Sequence, residues 1–437
     1  MTGRTGPLTG LMSRLTVGWQ ESGYPASLAE HDRRYGELPP RHGGAAKHRL
    51  VDQVAAAGLT GRGGAGFPTG AKMRAVAERR GSAVLVANGM ESEPASEKDQ
   101  ALMARAPHLV LDGIELAAAA VGADTAHLCV PRGRAWLAGV IRTAIGERNR
   151  AGRDGVQVEV QELPHAYVSS EETALVHWLN GGEARPTMTP PRPFERGVRK
   201  RPTLIDNVET LAHVALIARY GPSWFREAGL PDTPGTTLAT VSGAVADPGI
   251  YEFAGGTSVG EVLAAAGAAR GVEAVLLGGY FGTWHRVDQV AGMPFTVAGL
   301  RRAGGAPGAG VIFALPQESC GLAEAARVLG FLADHSAQQC GPCMFGLPAV
   351  AQDLAQLAAG RPGGDPLDRL ERRFAQITGR GACRHPDGAI RMAGSALTAF
   401  AADVHAHSRH RPCLAAPGDG HQRTAILPIP AAEGEWR

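Results

Sequence analysis

Apolar positions along the chain switch spacing twice, and the switches divide it into regions. Residues 1–45 are rich in Gly, Pro and charge, which predicts an irregular lead-in. From Leu50, helical patterns alternate with short β-rich runs: Ser82 to Ala87 (SAVLVA) predicts a buried strand, Leu109 to Ala120 a helix, and His127 to Val130 another strand. Such alternation predicts an α/β layer fold up to about residue 225, with the Pro-rich stretch Arg185 to Pro193 as its long loop. From Thr236 the pattern becomes TTLATVSGAV, a turn at Asp247-Pro248-Gly249, then IYEF, which signals a hairpin. A helix follows, opened by Ser258 with Glu261 three residues on, the spacing of a capping box. A strand at 274–279 (AVLLGG) completes a small α+β unit. After Cys320 apolar residues recur at helical spacing in Leu322–Leu332, Leu347–Leu357, Leu367–Ile377 and Ile390–Val404, which predicts a four-helix bundle. The boundaries that result are 1–45, 46–230, 231–318, 319–408 and a C-terminal tail at 409–437.

Composition narrows the function classes. A chain of 437 residues with 44% apolar side chains can bury a sizeable core. Lys+Arg 44 against Asp+Glu 42 gives a formal charge of +2 with no long run of one sign, so neither a nucleic-acid nor a membrane-surface partner is expected. No segment reaches the apolar length that spans a bilayer and the start lacks a signal-peptide pattern, which predicts a soluble, cytoplasmic protein. Six cysteines are too sparse for a disulfide framework and favour metal ligation. Only four lysines (Lys47, Lys72, Lys98, Lys200) and four asparagines (Asn88, Asn149, Asn180, Asn207) occur, and half of each fall inside the motifs below. Of the 15 histidines, His405, His407 and His410 cluster near the end and read as a solvated group ahead of a loose tail.

Four segments carry candidate chemistry. Gly61 to Lys72 (GRGGAGFPTGAK) is a glycine run ending near a lysine, and such glycines let backbone amides approach a phosphate. It contains G-x-G-x-x-G, yet the preceding RLVDQVAAAGLT reads as helix rather than strand, so a flexible loop fits the run as well as a nucleotide cradle does. In Val84 to Asp99 a buried strand runs into Asn88, Glu91, Glu93, Lys98 and Asp99, where a strand's carboxyl end would meet a ligand; a solvated acidic loop is the plain alternative. Ala166 to Leu175 and Pro202 to Leu211 each place polar groups just before an apolar helical run, suited to a flavin's phosphate or ring and equally to ordinary capping.

Together, GRGGAGFPTGAK, Asn-x-x-Glu-x-Glu-Pro, Ala-Tyr-x-x-x-Glu-Glu-Thr-Ala-Leu and Asn-Val-Glu-Thr-Leu resemble, in order and approximate spacing, the family of NADH-binding flavoprotein subunits of respiratory complex I, which also occurs in NAD-linked hydrogenases and formate dehydrogenases. The resemblance runs from about residue 55 to 405. It implies a Rossmann-like α/β domain for flavin mononucleotide (FMN) and NADH, then a β-grasp (SLBB-like) domain, then the helical bundle holding an iron-sulfur cluster. Gly61, Gly63, Gly64, Gly66 and Lys72 would line the nucleotide cradle, with Asn88, Glu91, Tyr167, Glu171, Asp206, Asn207 and Thr210 around the flavin. Phe67, Glu93 and Glu172 would face the nicotinamide dinucleotide. The implied reaction passes electrons from NAD(P)H through FMN to an iron-sulfur cluster and on to a ferredoxin-like or quinone-reductase partner, with no nucleic acid and no direct membrane insertion.

The cysteines fit that implication incompletely. Cys340-Gly341-Pro342-Cys343 with Cys383 forty residues downstream can reach one cluster, while structural zinc or a redox dithiol are the other readings of a C-x-x-C. The family motif has a further cysteine where this chain has Ala337. Cys320, Cys413, His335, water or a partner could fill the gap, or the cluster could be a three-iron form or absent; a three-cysteine cluster, 4Fe-4S or 3Fe-4S, is the expectation. Cys129 reads as an apolar strand filler and Cys320 as a packed helix-start residue. Met90, Ser170, Ala75 and Thr189 also depart from the family pattern around the nucleotide. Those departures support a rival reading, a non-catalytic homologue serving as an electron conduit or scaffold, and a zinc-bearing binding module is the third.

Overall fold

The computed structural model describes residues 13–21, 23–38, 45–413, 426–430 and 436. Its main elements in chain order, short helical turns and two-residue strands aside, are α1 (Leu28–Tyr35), α2 (Ala45–Ala57), α3 (Thr69–Ala77), β1 (Ala83–Asn88), α4 (Lys98–Arg105), α5 (Pro107–Val121), β2 (Ala123–Pro131), α6 (Ala135–Arg150), β3 (Val158–Leu163), α7 (Glu172–Leu179), β4 (Thr203–Asn207) and α8 (Val208–Arg226). Strands β5 (Thr236–Gly243) and β6 (Gly249–Ala254) follow, then α9 (Val259–Ala265), β7 (Ala274–Leu277), β8 (Thr283–Arg286) and β9 (Val311–Ala314). Five α-helices follow among the described residues: α10 (Gly321–Asp334), α11 (Leu347–Ala358), α12 (Pro366–Ile377), α13 (His385–Ala399) and α14 (Ala401–Ser408).

The first sheet is parallel, in the order β3-β2-β1-β4. Helices cover both of its faces, so β1 (AVLVAN) and β4 (TLIDN) are buried along nearly their whole length rather than alternating, and β1 is apolar up to Asn88. After β1 the chain steps outward to β2 and β3, then returns to the other side of β1 as β4. That reversal leaves a crevice at the carboxyl ends of β1 and β4, the place where open α/β sheets bind ligands.

The hairpin β5–β6 forms as its turn signals predict, and Ser258 and Glu261 cap α9 reciprocally. With β7, β8 and β9 it builds a five-stranded mixed sheet in which β9 runs parallel to β5. Val259, Val262 and Leu263 of α9 pack on Val241, Phe253 and Leu277. The C-terminal helices share one apolar core with the other face of this sheet, where Trp284 and Phe313 meet Leu322, Leu329 and Met392. Among the described residues no helix is long and apolar enough to cross a membrane.

Three expectations are corrected. The lead-in is not irregular where described: Ser27 and Glu30 cap α1, and Leu15 and Trp19 are buried in the first core. Its anchor is Glu252 on β6, whose carboxylate accepts the backbone N–H groups of Arg14, Leu15 and Thr16 and the hydroxyls of Thr16 and Thr236. The fourth helical run is broken at Phe400 into α13 and α14. Nor is the C-terminal segment loose throughout: His407 and Leu427 are buried, and Tyr280 donates its hydroxyl proton to the Pro428 carbonyl. Residues 414–425 and 431–435 of the expected tail lie outside the described residues.

Helices α5 and α8 cross with backbones almost touching. A Cβ at Gly113 would stand 2.0 Å from the Leu211 carbonyl oxygen, which neither helix can yield without moving apart. Gly113→Ala is therefore expected to destabilise the protein by about 1–3 kcal/mol or more, through overpacking, measured as a fall in thermal midpoint. An unchanged midpoint would contradict this crossing.

Candidate functional site

Register places Asn88 and Asn207 side by side at the ends of β1 and β4, at the mouth of the crevice. The Gly61–Gly66 run approaches from the turn between α2 and α3, so no strand precedes it. Gly61 N–H bonds the Phe67 carbonyl at 2.8 Å and closes the loop, and Arg62 N–H bonds the Thr210 hydroxyl at 2.9 Å, tying the loop to the first turn of α8. A Cβ at Gly63 would sit 3.3 Å from that of Asn207, and Gly64 adopts φ +105°, a region disfavoured for other residues. The run thus presents bare backbone to the crevice.

A cleft of about 570 Å³ fills this space. Its wall includes Gly63, Gly64, Asn88, Glu91, Glu93, Tyr167, Glu171 and Asn207, eight of the fifteen cofactor residues expected from sequence. The other seven do not line it. Phe67 is 56% exposed, and Gly61 and Gly66 flank the loop's base. Thr210 is occupied with Arg62. Lys72 donates to the Ile205 carbonyl and lies 3.7 Å from Asp206 and 4.0 Å from Glu172. Burial pushes the Asp206 carboxyl up to about 6, and one of its oxygens has no partner among the described residues.

The acidic segment after β1 is organised, not solvated. Glu91, at φ +35°, accepts the N–H groups of Asp99 and Gln100 and the Ser96 hydroxyl, and so caps the start of α4. Glu93 accepts the Tyr167 hydroxyl and the Tyr280 N–H, both at 2.8 Å. Burial raises both carboxyls to about 7. Beneath them Lys98 is enclosed by Asp99 at 2.7 Å and Glu209 at 2.8 Å. Glu171 caps α7 by accepting the Thr173 and Ala174 N–H groups.

Two departures from the family pattern sit differently from each other. Met90 is fully buried among Val84, Cys129 and Leu175 and does not reach the cleft. Ser170 does line it, but its hydroxyl lies 2.5 Å from that of Ser92 and is held against the wall.

Cys340 precedes and Cys343 lies within the helical turn Pro342–Gly346 that leads into α11, and Cys383 stands two residues before α13. Burial pushes the Cys343 thiol up to about 12, with Cys340 and Cys383 as further contributors. Ala337 is 3% exposed. Cys383, Arg384 and His385 also line the cleft, so one wall belongs to both the crevice and the cysteines. Tyr167 bridges them, edge-on to Phe281 (4.7 Å) and to His385 (5.8 Å). Burial lowers the His385 imidazole to about 4, which keeps it neutral.

Sequence reasoning missed the second sheet's share of the wall: Gly278, Phe281 and the run Gly304 to Ala309. Gly308 faces Gly64, and a Cβ at Gly308 would stand 2.2 Å from the Gly278 carbonyl oxygen. The signal was present as GGAPGAG, a second glycine cluster, but nothing local tied it to the first. Residues and chemistry fit the groups the family carries. A glycine cradle open to side-chain-free approach suits a nucleotide, and three soft thiols suit an iron-sulfur cluster with one ligand position left over.

Comparison with known proteins agrees. Residues 54–216 match the Nuo51 FMN-binding domain, 238–275 an SLBB domain, and 323–407 the NADH-ubiquinone oxidoreductase-F iron-sulfur binding region. The F 2 subunit of the NADH-quinone oxidoreductase of Rhizobium meliloti is 34% identical over 83% of this chain and 90% of its own length. The corresponding F subunit of Streptomyces coelicolor is 32% identical over 86% of each. Among solved structures, NAD+-reducing NiFe hydrogenase in the air-oxidised state superposes with a TM-score of 0.81 at 30% identity, over 92% of this chain and 68% of that one. In the H2-reduced state the values are 0.77 and 31%, over 83% and 62%. The chain belongs to the family of NADH-quinone oxidoreductase F subunits, flavoproteins that move electrons from NADH through FMN to an iron-sulfur cluster.

Proposed function

We propose that the crevice between β1 and β4 is where this chain binds FMN and NADH, and that Cys340, Cys343 and Cys383 hold the cluster that receives the electrons. The observation that carries this assignment is the shared wall: Cys383 lines the same cleft as Asn88, Asn207 and Glu93. FMN, when bound, supplies the conversion of a two-electron hydride donor into single electrons. The chain's own residues bind and orient. Gly63 and Gly64 let backbone close on the nucleotide, Asn88 and Asn207 offer both donors and acceptors at the switch point, and Glu93 holds Tyr167 at the boundary with the cysteines. The burial of Met90 and the tethering of Ser170 leave the cleft open, which favours a working enzyme over a scaffold.

On this reading 46–230 is the FMN/NADH domain, 231–318 a β-grasp domain and 319–408 the cluster-bearing bundle of a cytoplasmic protein. The acceptor is a ferredoxin-like protein or another subunit of a redox complex. Met344 and Phe345, exposed beside Cys343, give an apolar face near the cluster for it to meet.

Cys383→Ser is expected to lose iron and labile sulfide while keeping the flavin band and its bleaching by NADH, read in one anaerobic spectrum with metal analysis. Ala337→Cys supplies a fourth thiolate and should raise iron per chain; no gain would mean that another ligand already fills the position. Because Glu93 has a pKa raised to about 7, it is neutral below that pH and anionic above it. The KM for NADH, a polyanion, is therefore expected to rise as pH passes upward through about 7, and Glu93→Gln to flatten that rise. A pH profile identical in the variant would remove Glu93 from the dinucleotide site.

A further inference from the structure

Away from the cleft, three ligating side chains converge where no motif marks them. Cys320, His407 and Cys413 present two sulfurs and an imidazole nitrogen that all lie within 4.8 Å of one another. Cys320 precedes α10, His407 sits in the last turn of α14, and Cys413 follows it in the C-terminal segment. Cys320 is 3% and His407 0% exposed, where the sequence suggested an inert packed cysteine and a solvated histidine.

The imidazole is already oriented. Its Nδ1 lies 3.0 Å from the Ala358 carbonyl oxygen, an acceptor that only a protonated ring nitrogen can satisfy. The lone pair is therefore on Nε2, which faces Cys413 and accepts its backbone N–H at 3.0 Å. A ring N–H fixed on a backbone carbonyl with the other nitrogen turned toward thiols is how histidine ligands to metals are held. A cavity of about 430 Å³ lined by Glu273, Asp403 and Cys413 adjoins the group, leaving room for a fourth ligand.

We propose that Cys320, His407 and Cys413 bind one zinc ion at a site separate from the iron-sulfur cradle, with water or the Asp403 carboxylate completing a tetrahedron. Donors this close suit a single ion, whose bonds to sulfur and nitrogen are about 2.0–2.3 Å, better than a cube of iron and sulfide. Position separates the two sites as well. Cys320 stands at the start of α10, whereas His385, two residues after Cys383, bonds the Leu332 carbonyl near its end. The intervening helix is roughly 20 Å long. Binding moves two thiol protons to solvent and frees the Cys413 amide from Nε2, so two thiolates and a neutral imidazole balance the dication and affinity rises with pH. The ion would fasten the segment after α14 to the start of α10.

The test is elemental analysis of the full chain, purified anaerobically with its cofactors and dialysed against a weak chelator. One zinc per chain is expected. Cys413→Ser and His407→Gln should each lower zinc about tenfold or more with iron unchanged, and Cys340→Ser should lower iron with zinc unchanged. Zinc-edge X-ray absorption of the unmutated protein, which needs no variant to fold, should show two sulfurs and a nitrogen bound to the metal. Absence of zinc after purification and after its addition would overturn the site. So would zinc equal in all variants, or coordination by oxygen alone. A chain lighter by two hydrogens and free of zinc would assign Cys320 and Cys413 to a disulfide instead.

Discussion

One ammonium group joins the parts from which the crevice is built. Lys98 is 2% exposed and contacts Asp99 and Glu209, the first beside it in α4 and the second in the opening turn of α8. Asp99 in turn accepts from Asn207, and Glu209 accepts the Leu238 N–H of β5 at 2.9 Å. The segment after β1, the helix after β4 and the second sheet therefore meet at a single charge. Removing these ions from water costs several kcal/mol each, so the arrangement holds only because every member is hydrogen-bonded. Burial would raise the Glu209 carboxyl, but Lys98, His213 and Arg62 together outweigh it and hold the group at about 2; Asp99 is shifted upward by its burial. A lysine fits this place because it brings three donors to a point, where an arginine fork would need a planar partner.

A second buried charge performs the same office for the helices. Asp112 of α5 takes His31 from α1, Arg148 from α6 and Arg219 from α8, and these pairs hold its carboxyl far below the usual range against the opposing effect of burial. His31 and Asp32, the latter paired with Arg153, fasten α1 to the domain, and Glu252 holds the segment from Arg14 to Thr16. Apart from Lys98–Asp99, both hubs consist of contacts between residues far apart in sequence, the contacts that periodicity does not register.

Helices, strands, the hairpin and the Ser258 cap follow from local spacing and were legible for that reason. Asn88 and Asn207 were legible as motif members, because strand ends at a topological reversal are where polar groups collect. The setting of Lys72 was not, since a lysine after a glycine run suggests a phosphate contact and nothing local shows that the Ile205 carbonyl takes its ammonium, with Asp206 and Glu172 close by. Gly308 escaped for the converse reason. Its conformation is needed only because β7 brings Gly278 against it, a pairing between segments thirty residues apart.

The substituted positions divide along the same line between local pattern and long-range packing. In sequence, Met90 counts among the departures from the family pattern around the nucleotide. In the fold it points into the apolar layer with Val84, Val86 and Cys129, where methionine packs at little cost and a carboxylate would need a partner. Ala337 differs because it lies on the cysteine side, where nothing apolar can replace a thiolate at a metal. On the proposed ligand set, divergence in this chain falls harder on the ligation of the cluster than on the crevice. The Tyr167 hydroxyl, bonded to Glu93 while its ring meets Phe281 and His385, couples the two: a change in how the cysteine side packs reaches the crevice wall through one side chain.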